Sequence, residues 1–179
     1  AWVEDHTLSI AYHDTEWGVP LYDDHRLFEF LVLESMQAGL SWMTVLKKRD
    51  AFRQALDDFN AEKIARYSEQ RQRQLLLNKA IIRNRLKIQS VVTNARCLLA
   101  MQEQQSLSDF LWGFVDGEPI MNTWKHASEI PASTPLSQAL SKALKAQGFR
   151  FVGPTICYAL MQATGLVNDH LVGCFCRQS

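Results

Sequence analysis

Apolar residues recur at three- and four-residue spacing along most of the chain, which is the period of one face of an α-helix. The clearest case follows Ser133, Thr134 and Pro135, where capping residues and a proline precede an apolar stripe that ends at Gly148. The stripe consists of Leu136, Ala139, Leu140, Ala143 and Leu144. The apolar–polar alternation of a half-buried β-strand is not sustained along the sequence. The pattern therefore predicts an all-α fold.

Capping residues, prolines and terminal glycines predict the remaining helices. They are a helix over 25–39 capped by Asp23 or Asp24, a helix that starts after Ser41 and runs through residue 56, two short helices capped by Asn60 and Ser68, a long helix over 82–101, and a helix that starts at Pro154 and stops at Gly165. The stretch 113–131 contains turn residues and weak periodicity, so it is predicted to be a long loop.

Length and composition indicate one domain, residues 1–179, with enough apolar content (47%) to bury a core. The 19 basic and 19 acidic side chains give a formal net charge of zero. This balance argues against a protein held to nucleic acid mainly by bulk charge, although a local basic face and backbone N–H groups can still bind DNA. No apolar run reaches the ~18 residues of a membrane span, and residues 1–7 lack the apolar core of a signal peptide. A cytoplasmic protein without a membrane partner is expected.

The segment LSKALKAQGFRFVGPTICYALMQATG predicts two helices joined by a tight turn over 148–153. Gly148 can adopt a positive φ, and Gly153 permits close approach of another molecule. Backbone N–H groups of residues 151–153 would lie at a helix N-terminus, where an anion binds favourably. An ordinary helical hairpin is the alternative. The letters G-F-x-F-V-G-P resemble the helix-hairpin-helix element with which a superfamily of DNA-repair proteins binds phosphate.

Four stretches together resemble one family. They are IAYHDTEWGVP (10–20), LESMQAGLSWMTVLKKR (33–49), IIRNRLKI (81–88) and GFRFVGPTICYALMQATGLVNDHLVGC (148–174). In this order, and along nearly the whole chain, they are similar to bacterial 3-methyladenine DNA glycosylase I, a member of the helix-hairpin-helix DNA glycosylase superfamily. The resemblance implies a monomer that flips a cationic, methylated purine out of damaged double-stranded DNA. The enzyme would hydrolyse the glycosidic bond, release 3-methyladenine and leave an abasic site.

Glu34 is the strongest candidate for the base pocket and for a catalytic role. A carboxylate on a mostly apolar helix is unusual, because burying a charge without a partner is costly. A Glu that reaches solvent or pairs with an Arg is the alternative. The resemblance implies that Glu34 accepts hydrogen bonds from the flipped base.

Aromatic side chains are the second expected feature of the pocket. The resemblance implies that Tyr12 and Trp42 line it and that Trp2 and Trp17 lie at or near it. For Trp17, core packing is an equal alternative. Flat aromatic faces attract a cationic purine by stacking and by cation–π contact.

The expected DNA contacts lie in two turns. The resemblance implies that Leu40, after the helix-ending Gly39, is an apolar wedge inserted where the base has left the stack, although simple packing is the alternative for Leu40. The resemblance also implies that the hairpin contacts phosphate, in part through its backbone N–H groups. Its expected contacts are Gly148, Phe151, Val152, Gly153 and Thr155.

A metal site is expected near the C-terminus, where Cys174 and Cys176 lie close in sequence to a histidine. The resemblance implies that His13, His170 and Cys174 bind a structural zinc that ties the N-terminal segment to the C-terminus. A hydrogen-bonded core histidine is the alternative for His13. Three candidates remain for the fourth ligand: a cysteine upstream of residue 2, Cys176 and a water molecule. The other two cysteines, Cys97 and Cys157, are predicted to be buried core residues.

Two residue types expected of strand-cleaving relatives are absent. Thr155 stands where many of them carry a Lys that forms a Schiff base, and Asn168 stands where they carry an Asp, with Asp169 one position away. Both absences predict a simple hydrolase without lyase activity. Two other classes stay open: a zinc-stabilised module that only binds DNA, and a metal-dependent phosphohydrolase built on His13–Asp14 and Asp169–His170. The second lacks further ligands at suitable spacing.

Overall fold

The computed structural model describes residues 7–178 and is mostly helical, which confirms the predicted class. Its helices are α1 (Thr7–Thr15), α2 (Asp24–Gln37), α3 (Trp42–Leu46), α4 (Arg49–Ala55), α5 (Ala61–Ala65), α6 (Glu69–Leu77), α7 (Arg85–Gln102), α8 (Leu107–Trp112), α9 (Pro135–Ala146) and α10 (Pro154–Ala163). Two short strands, β1 (Ile120–Met121) and β2 (Val167–Asn168), pair in parallel. Single 3₁₀ turns lie at Gly113–Val115, Ala127–Glu129 and Phe175–Gln178.

The predicted caps hold, since the side chains of Asp23, Ser41, Asn60 and Ser68 each accept a hydrogen bond from a backbone N–H in the first turn that follows. These bonds satisfy donors that a helix N-terminus leaves without a partner. The caps thus fix where four helices begin.

Three predictions differ from the structure. The helix predicted to run from Ser41 through residue 56 is two helices, α3 and α4, because the chain turns at Lys48 (φ −105°) to bury Arg49 and Phe52. Helices α1 and α8 were not predicted: α1 has little periodicity, and α8 is a six-residue helix capped by Ser106. The long loop predicted over 113–131 contains β1 and two 3₁₀ turns, and β1 pairs with a segment distant in sequence.

Helix α2 runs through the centre of the core, and all ten residues from Leu27 to Met36 are buried. Three of these ten are polar, and two of the three have protein partners. Glu29 accepts hydrogen bonds from Arg49 (2.7 Å) and Arg53 (3.0 Å), and the Ser35 hydroxyl donates to the carbonyl oxygen of Leu31 (2.7 Å). Glu34 is the third. Its Oε2 atom is left without a hydrogen-bond partner among residues 7–178.

Helix α7 supports two turns that lie far apart in sequence. The Lys87 ammonium donates to the carbonyl oxygens of Met36 (2.8 Å) and Ala38 (2.6 Å), at the C-terminal end of α2. The Asn94 side chain bonds both the N–H and the carbonyl oxygen of Arg150, in the turn between α9 and α10.

Across residues 7–178, no helix combines the length and apolar character that a membrane span requires.

Candidate active site

A cavity of about 570 Å³ lies between α1, α2, α3 and α10, beside the segment 127–132. Among the described residues that line it, one is acidic and none is Lys, Arg or His. The lining residues are Ser9, Tyr12, Trp17, Glu34, Gln37, Ser41, Trp42, Met43, Ala127, Ile130, Pro131, Ala132, Thr155, Tyr158, Ala159 and Gln162. The cavity thus combines mostly apolar walls with a few polar groups, which is the usual form of a small-ligand site.

Glu34 lies in the wall of this cavity and is only 3% exposed. Its Oε2 atom has no hydrogen-bond partner among the described residues. Burial raises the pKa of Glu34 from 4.5 to about 8, because a carboxylate deprived of water resists ionisation. The alternative considered from the sequence was that Glu34 reaches solvent or pairs with an arginine, and in the structure it does neither. A buried acceptor of this kind is suited to a ligand that brings its own donor or positive charge.

Three of the expected aromatic residues line the same cavity. The rings of Tyr12 and Trp42 have centroids 5.2 Å apart, and the buried Trp42 Nε1 has no partner within residues 7–178. Trp17 is 8% exposed and lies with its ring centroid 4.7 Å from that of His170. It is therefore both a core residue and a wall of the cavity. Trp2 lies outside the described residues.

A further wall belongs to α10, and of its residues only Thr155 was named from the sequence, as a DNA contact. Thr155, Tyr158, Ala159 and Gln162 follow the i, i+3, i+4, i+7 spacing of one helix face. That spacing was the signal available in the sequence, but nothing in it distinguishes a cavity wall from a core face. Gln37, Ser41 and Met43, on the Glu34 side, were also missed.

The turn after α2 projects away from the core. Gly39 has φ +77°, and a Cβ there would meet nothing within 4 Å. Leu40 follows and is 41% exposed. Leu40 is thus an apolar side chain partly open to solvent next to Ser41, which lines the cavity.

The α9–α10 turn has its carbonyl groups tied inward. The carbonyl oxygen of Val152 accepts from the Ser141 hydroxyl (2.6 Å), and that of Phe151 accepts from the Ser35 hydroxyl (3.2 Å). Gly153 stands at the N-cap of α10 and supplies no capping side chain. The Val152 side chain is buried, so it has no exposed surface for contact, while Thr155 is exposed on α10.

Four side chains cluster beside the cavity, behind Trp17. They are His13, His170, Cys174 and Cys176, whose possible ligand atoms all lie within 4.8 Å of one another. The Asn168 Oδ1 atom lies 3.0 Å from His170 Nδ1, and the buried His170 Nε2 has no partner among the described residues. Asp14 Oδ1 likewise lies 2.7 Å from His13 Nδ1, while His13 Nε2 lies 3.7 Å from the Cys174 sulfur. Two nitrogens and two sulfurs, with both imidazoles held through Nδ1, form the ligand set that tetrahedral zinc prefers.

The other two cysteines and Asp169 lie outside this cluster. Cys157 is buried as predicted, whereas Cys97 is half-buried beside Gly148. Asp169 points to neutral donors on α10 and on the segment after β1. A second metal ligand set from Asp169 and His170 is therefore not formed, which argues against a two-metal phosphohydrolase.

Comparison with known proteins agrees with this architecture. The methyladenine glycosylase family model matches residues 2–177. DNA-3-methyladenine glycosylase 1 of Escherichia coli (strain K12) is 52% identical over 176 residues, covering 98% of this chain and 94% of that protein.

Solved structures give the same result. A crystal structure of 3-methyladenine DNA glycosylase I superposes with a TM-score of 0.96 at 55% identity, covering 98% of this chain and 97% of the other. A variant of 3-methyladenine DNA glycosylase I in complex with 3-methyladenine has a TM-score of 0.95 at 38% identity, covering 97% and 94%. The chain belongs to the methyladenine glycosylase family.

Proposed function

We propose that this protein removes 3-methyladenine from duplex DNA by hydrolysing the glycosidic bond of the flipped nucleotide. One observation carries the proposal: a buried Glu34 oxygen without a partner among residues 7–178 faces a cavity walled by Tyr12 and Trp42. A module that only binds DNA has no use for a cavity of this size beside an unsatisfied carboxylate. The relatives named above as 3-methyladenine DNA glycosylases support the same substrate.

The cavity favours a positively charged base. Among residues 7–178, Glu34 is the one acidic group of the lining, and no basic lining residue competes with a cation for it. A cation that enters the cavity stabilises the carboxylate form of Glu34, because opposite charges attract strongly where water is excluded. Tyr12 and Trp42 add stacking and cation–π contact. Glu34 is therefore assigned both base recognition and a catalytic role.

The chemistry requires little acid catalysis. A purine methylated at N3 already carries a positive charge, so it leaves as a neutral base without being protonated. Water is the nucleophile, and the positive charge passes from the leaving base to the oxocarbenium-like sugar, which the negative charge of Glu34 stabilises. No lysine lines the cavity among the described residues, and Thr155 occupies part of the α10 wall. A Schiff base with the sugar therefore has no amine to form it, and the DNA strand stays intact.

DNA is bound through the helix-hairpin-helix element and the Leu40 turn. With the carbonyls of Phe151 and Val152 tied inward, the turn before α10 offers its amide groups to a phosphate at the helix N-terminus. Leu40 fills the space left by the flipped base. Contacts of this kind explain how a chain of zero net charge binds DNA as a monomer.

Zinc at His13, His170, Cys174 and Cys176 is the proposed cofactor. The buried His170 Nε2 and the N₂S₂ donor set support it. Its role is structural, because the ligands come from α1 and from the C-terminal segment and all four positions are filled by protein atoms. Cys176 is thereby the proposed fourth ligand.

The deciding experiment is incubation with methylated duplex DNA, followed by chromatography of the released bases and inspection of the strands. Free 3-methyladenine and abasic, unbroken strands are expected. Glu34→Gln should reduce release strongly. Glu29→Gln is the matched control, since Glu29 is equally buried on α2 but pairs with Arg49 and Arg53. Glu29→Gln should lower the melting temperature and retain excision. No released base from the folded wild-type protein would overturn the proposal.

A further inference from the structure

Asp169 is a second buried carboxylate close to the cavity, and it joins the α10 wall to the segment after β1. It directly follows β2 and is 1% exposed. Its Oδ2 atom accepts hydrogen bonds from Tyr158 Oη (2.6 Å) and Gln162 Nε2 (2.8 Å). Its Oδ1 atom accepts from Asn122 Nδ2 (2.7 Å) and Trp124 Nε1 (2.8 Å). Both oxygens are therefore saturated by four donors.

All four donors are neutral, since no ion pair within residues 7–178 involves Asp169. A buried carboxylate without a cation is costly, so a network of this kind is expected to have a use. Core stability alone does not require it, because apolar residues of similar shape would fill the same space without desolvating a charge.

Two of the four donors belong to the α10 wall, and the other two lie in the segment after β1. Tyr158 and Gln162 line the cavity on α10. Asn122 and Trp124 lie three to five residues before the segment 127–132, which contributes Ala127, Ile130, Pro131 and Ala132 to the lining. Asp169 thus ties the α10 wall to the segment beside the cavity.

The direction of these bonds determines which atoms of the α10 wall can accept a hydrogen bond from a ligand. Tyr158 uses its one proton on Asp169, and burial together with that bond raises the pKa of Tyr158, so the phenol stays protonated. The Tyr158 oxygen can then only accept a hydrogen bond from a ligand. Gln162 directs its amide nitrogen to Asp169, which leaves its carbonyl oxygen as the group available to a ligand.

We propose that Asp169 is a positioning residue that holds Tyr158 and Gln162 as hydrogen-bond acceptors toward the flipped base. Together with Glu34, this arrangement presents acceptors from both the α2 wall and the α10 wall of the cavity and adds a second negative charge behind the α10 wall. A base that carries an exocyclic amino group and a positive charge is the matching ligand. The inference rests on the proposed function and extends it to the α10 wall.

The test is a double-mutant cycle on kcat/KM for release of 3-methyladenine from methylated duplex DNA. Its members are the wild type, Asp169→Asn, Tyr158→Phe and the double variant. Asp169→Asn keeps the shape but introduces a donor. Because Trp124 Nε1 can only donate, the amide oxygen stays toward Trp124 and the new NH₂ group faces Tyr158 and Gln162, one of which must then turn a donor toward the cavity. We expect each single variant to lose roughly ten- to a hundredfold in kcat/KM, as is common for groups that orient a site. The double variant should lose far less than the product of the two losses, because both changes disrupt one interaction.

Asp24→Asn is the matched control. Asp24 is also a carboxylate that accepts three hydrogen bonds, from Leu107 N–H, Ser108 N–H and Gln102, but it does not line the cavity. It should lower the melting temperature and leave kcat/KM unchanged. Melting temperature and zinc content are measured for every variant, since Asp169 precedes His170. Fully multiplicative losses, or wild-type kcat/KM in Asp169→Asn, would overturn the inference.

If Asp169→Asn does not fold, a second variant tests the same inference. Tyr158→Phe combined with Gln162→Leu removes both acceptors while Asp169 stays in place. Wild-type kcat/KM in that variant would show that the α10 wall does not contact the base, and the inference would fail. If the wild-type enzyme itself releases no 3-methyladenine, the proposed function fails first. The two outcomes are therefore distinguishable in the same assay.

Discussion

The ammonium group of Lys87 lies 2.6 Å from the carbonyl oxygen of Ala38, just beyond the last residue of α2. The same group bonds the Met36 carbonyl oxygen at 2.8 Å, and Lys87 is buried. Burial lowers the pKa of Lys87, which shows that the charge is kept there at a cost. A lysine in this place satisfies carbonyl groups that a helix C-terminus leaves without partners. Lys87 therefore fixes the turn that carries Gly39 and Leu40.

Replacing Lys87 by methionine should destabilise the protein and impair excision together. The buried carbonyl group of Met36 and the half-buried one of Ala38 lose their donor, which costs at most about 1–3 kcal/mol each. The turn also loses its anchor, so kcat/KM on duplex DNA should fall by roughly tenfold. Lys48→Met is the control, because Lys48 makes one similar bond, to Ala80, away from the cavity. Unchanged melting and excision in Lys87→Met would show that the turn does not depend on this contact.

Glu34→Gln should stabilise the folded protein in a pH-dependent manner. The pKa of Glu34 is about 8 in the folded chain against 4.5 as its ordinary value. Between these values the folded state binds more protons than the unfolded state, so the free energy of unfolding of the wild type falls as the pH rises. The melting-temperature advantage of Glu34→Gln should thus grow from about pH 4.5 and level off above about pH 8. A difference that stays constant with pH would contradict the raised pKa.

The catalytic activity of the wild type should rise with pH, whereas its free energy of unfolding falls. The carboxylate form of Glu34 is the one that accepts hydrogen bonds and attracts a cation, and it is the minor form below its pKa. The kcat/KM of the wild type should therefore rise with pH toward about 8, since this quantity reports groups of the free enzyme. Glu29→Gln should retain the same rise and Glu34→Gln should lose it. The measurement is a pH profile of kcat/KM between pH 6 and pH 9 under subsaturating DNA.

The local signals in the sequence predicted most helices because they report local chemistry. Asp23, Ser41, Asn60 and Ser68 cap helices by accepting nearby N–H groups, and this depends on residues only three positions apart. The break between α3 and α4 depends instead on Arg49, which must turn inward to reach Glu29 and Glu16. The pairing of β1 with β2 joins residues 47 positions apart, as for Ile120 and Val167. Such long-range contacts leave no local pattern.

The candidate site was predictable on one side only. Glu34 was conspicuous because a carboxylate on an apolar helix is unusual, and the resemblance carried Tyr12 and Trp42. Tyr158 and Gln162 were missed, because on α10 they look like polar residues of an ordinary amphipathic face. Asp169 lies one position from the place where strand-cleaving relatives carry an Asp, and its four donors come from two segments that meet only in the folded chain.

Metal removal should reduce stability before it reduces activity. We expect one zinc per chain by elemental analysis, and a clear fall in melting temperature after chelation, because the ligands join α1 to the C-terminal segment. Cys176→Ser should weaken zinc binding. Cys97→Ser is the control, since Cys97 lies outside the ligand cluster. Purified protein without bound metal, and with a melting temperature insensitive to chelation, would contradict the structural zinc.

Leu40→Ala should slow excision from duplex DNA without changing stability. Leu40 is 41% exposed, so its truncation should alter the free energy of unfolding by no more than about 0.5 kcal/mol. A wedge is needed only where a neighbouring base pair must be separated, so single-stranded methylated DNA should be affected less than duplex. The rates of 3-methyladenine release from the two substrates provide the comparison. Equal effects on both would remove Leu40 from base flipping.

Gly153→Ala should weaken DNA binding while leaving the base cavity intact. Gly153 has φ −65°, and a Cβ there would meet nothing within 4 Å, so alanine fits the folded chain. The added methyl group would nevertheless stand beside the amides that begin α10, where a phosphate must approach closely. We expect a several-fold higher Kd for duplex DNA and an unchanged Kd for free 3-methyladenine, both measured by calorimetry.

Gly113→Ala is the matched control for this change. A Cβ at Gly113 also meets nothing within 4 Å, and its φ of −60° also suits alanine. Both variants gain one methyl group on an open surface, so any general effect of the substitution should be the same in the two proteins. Only Gly153 lies in the α9–α10 turn, and only its variant should lose affinity for DNA. Equal affinities of the two variants for duplex DNA would place the phosphate contact elsewhere on the protein.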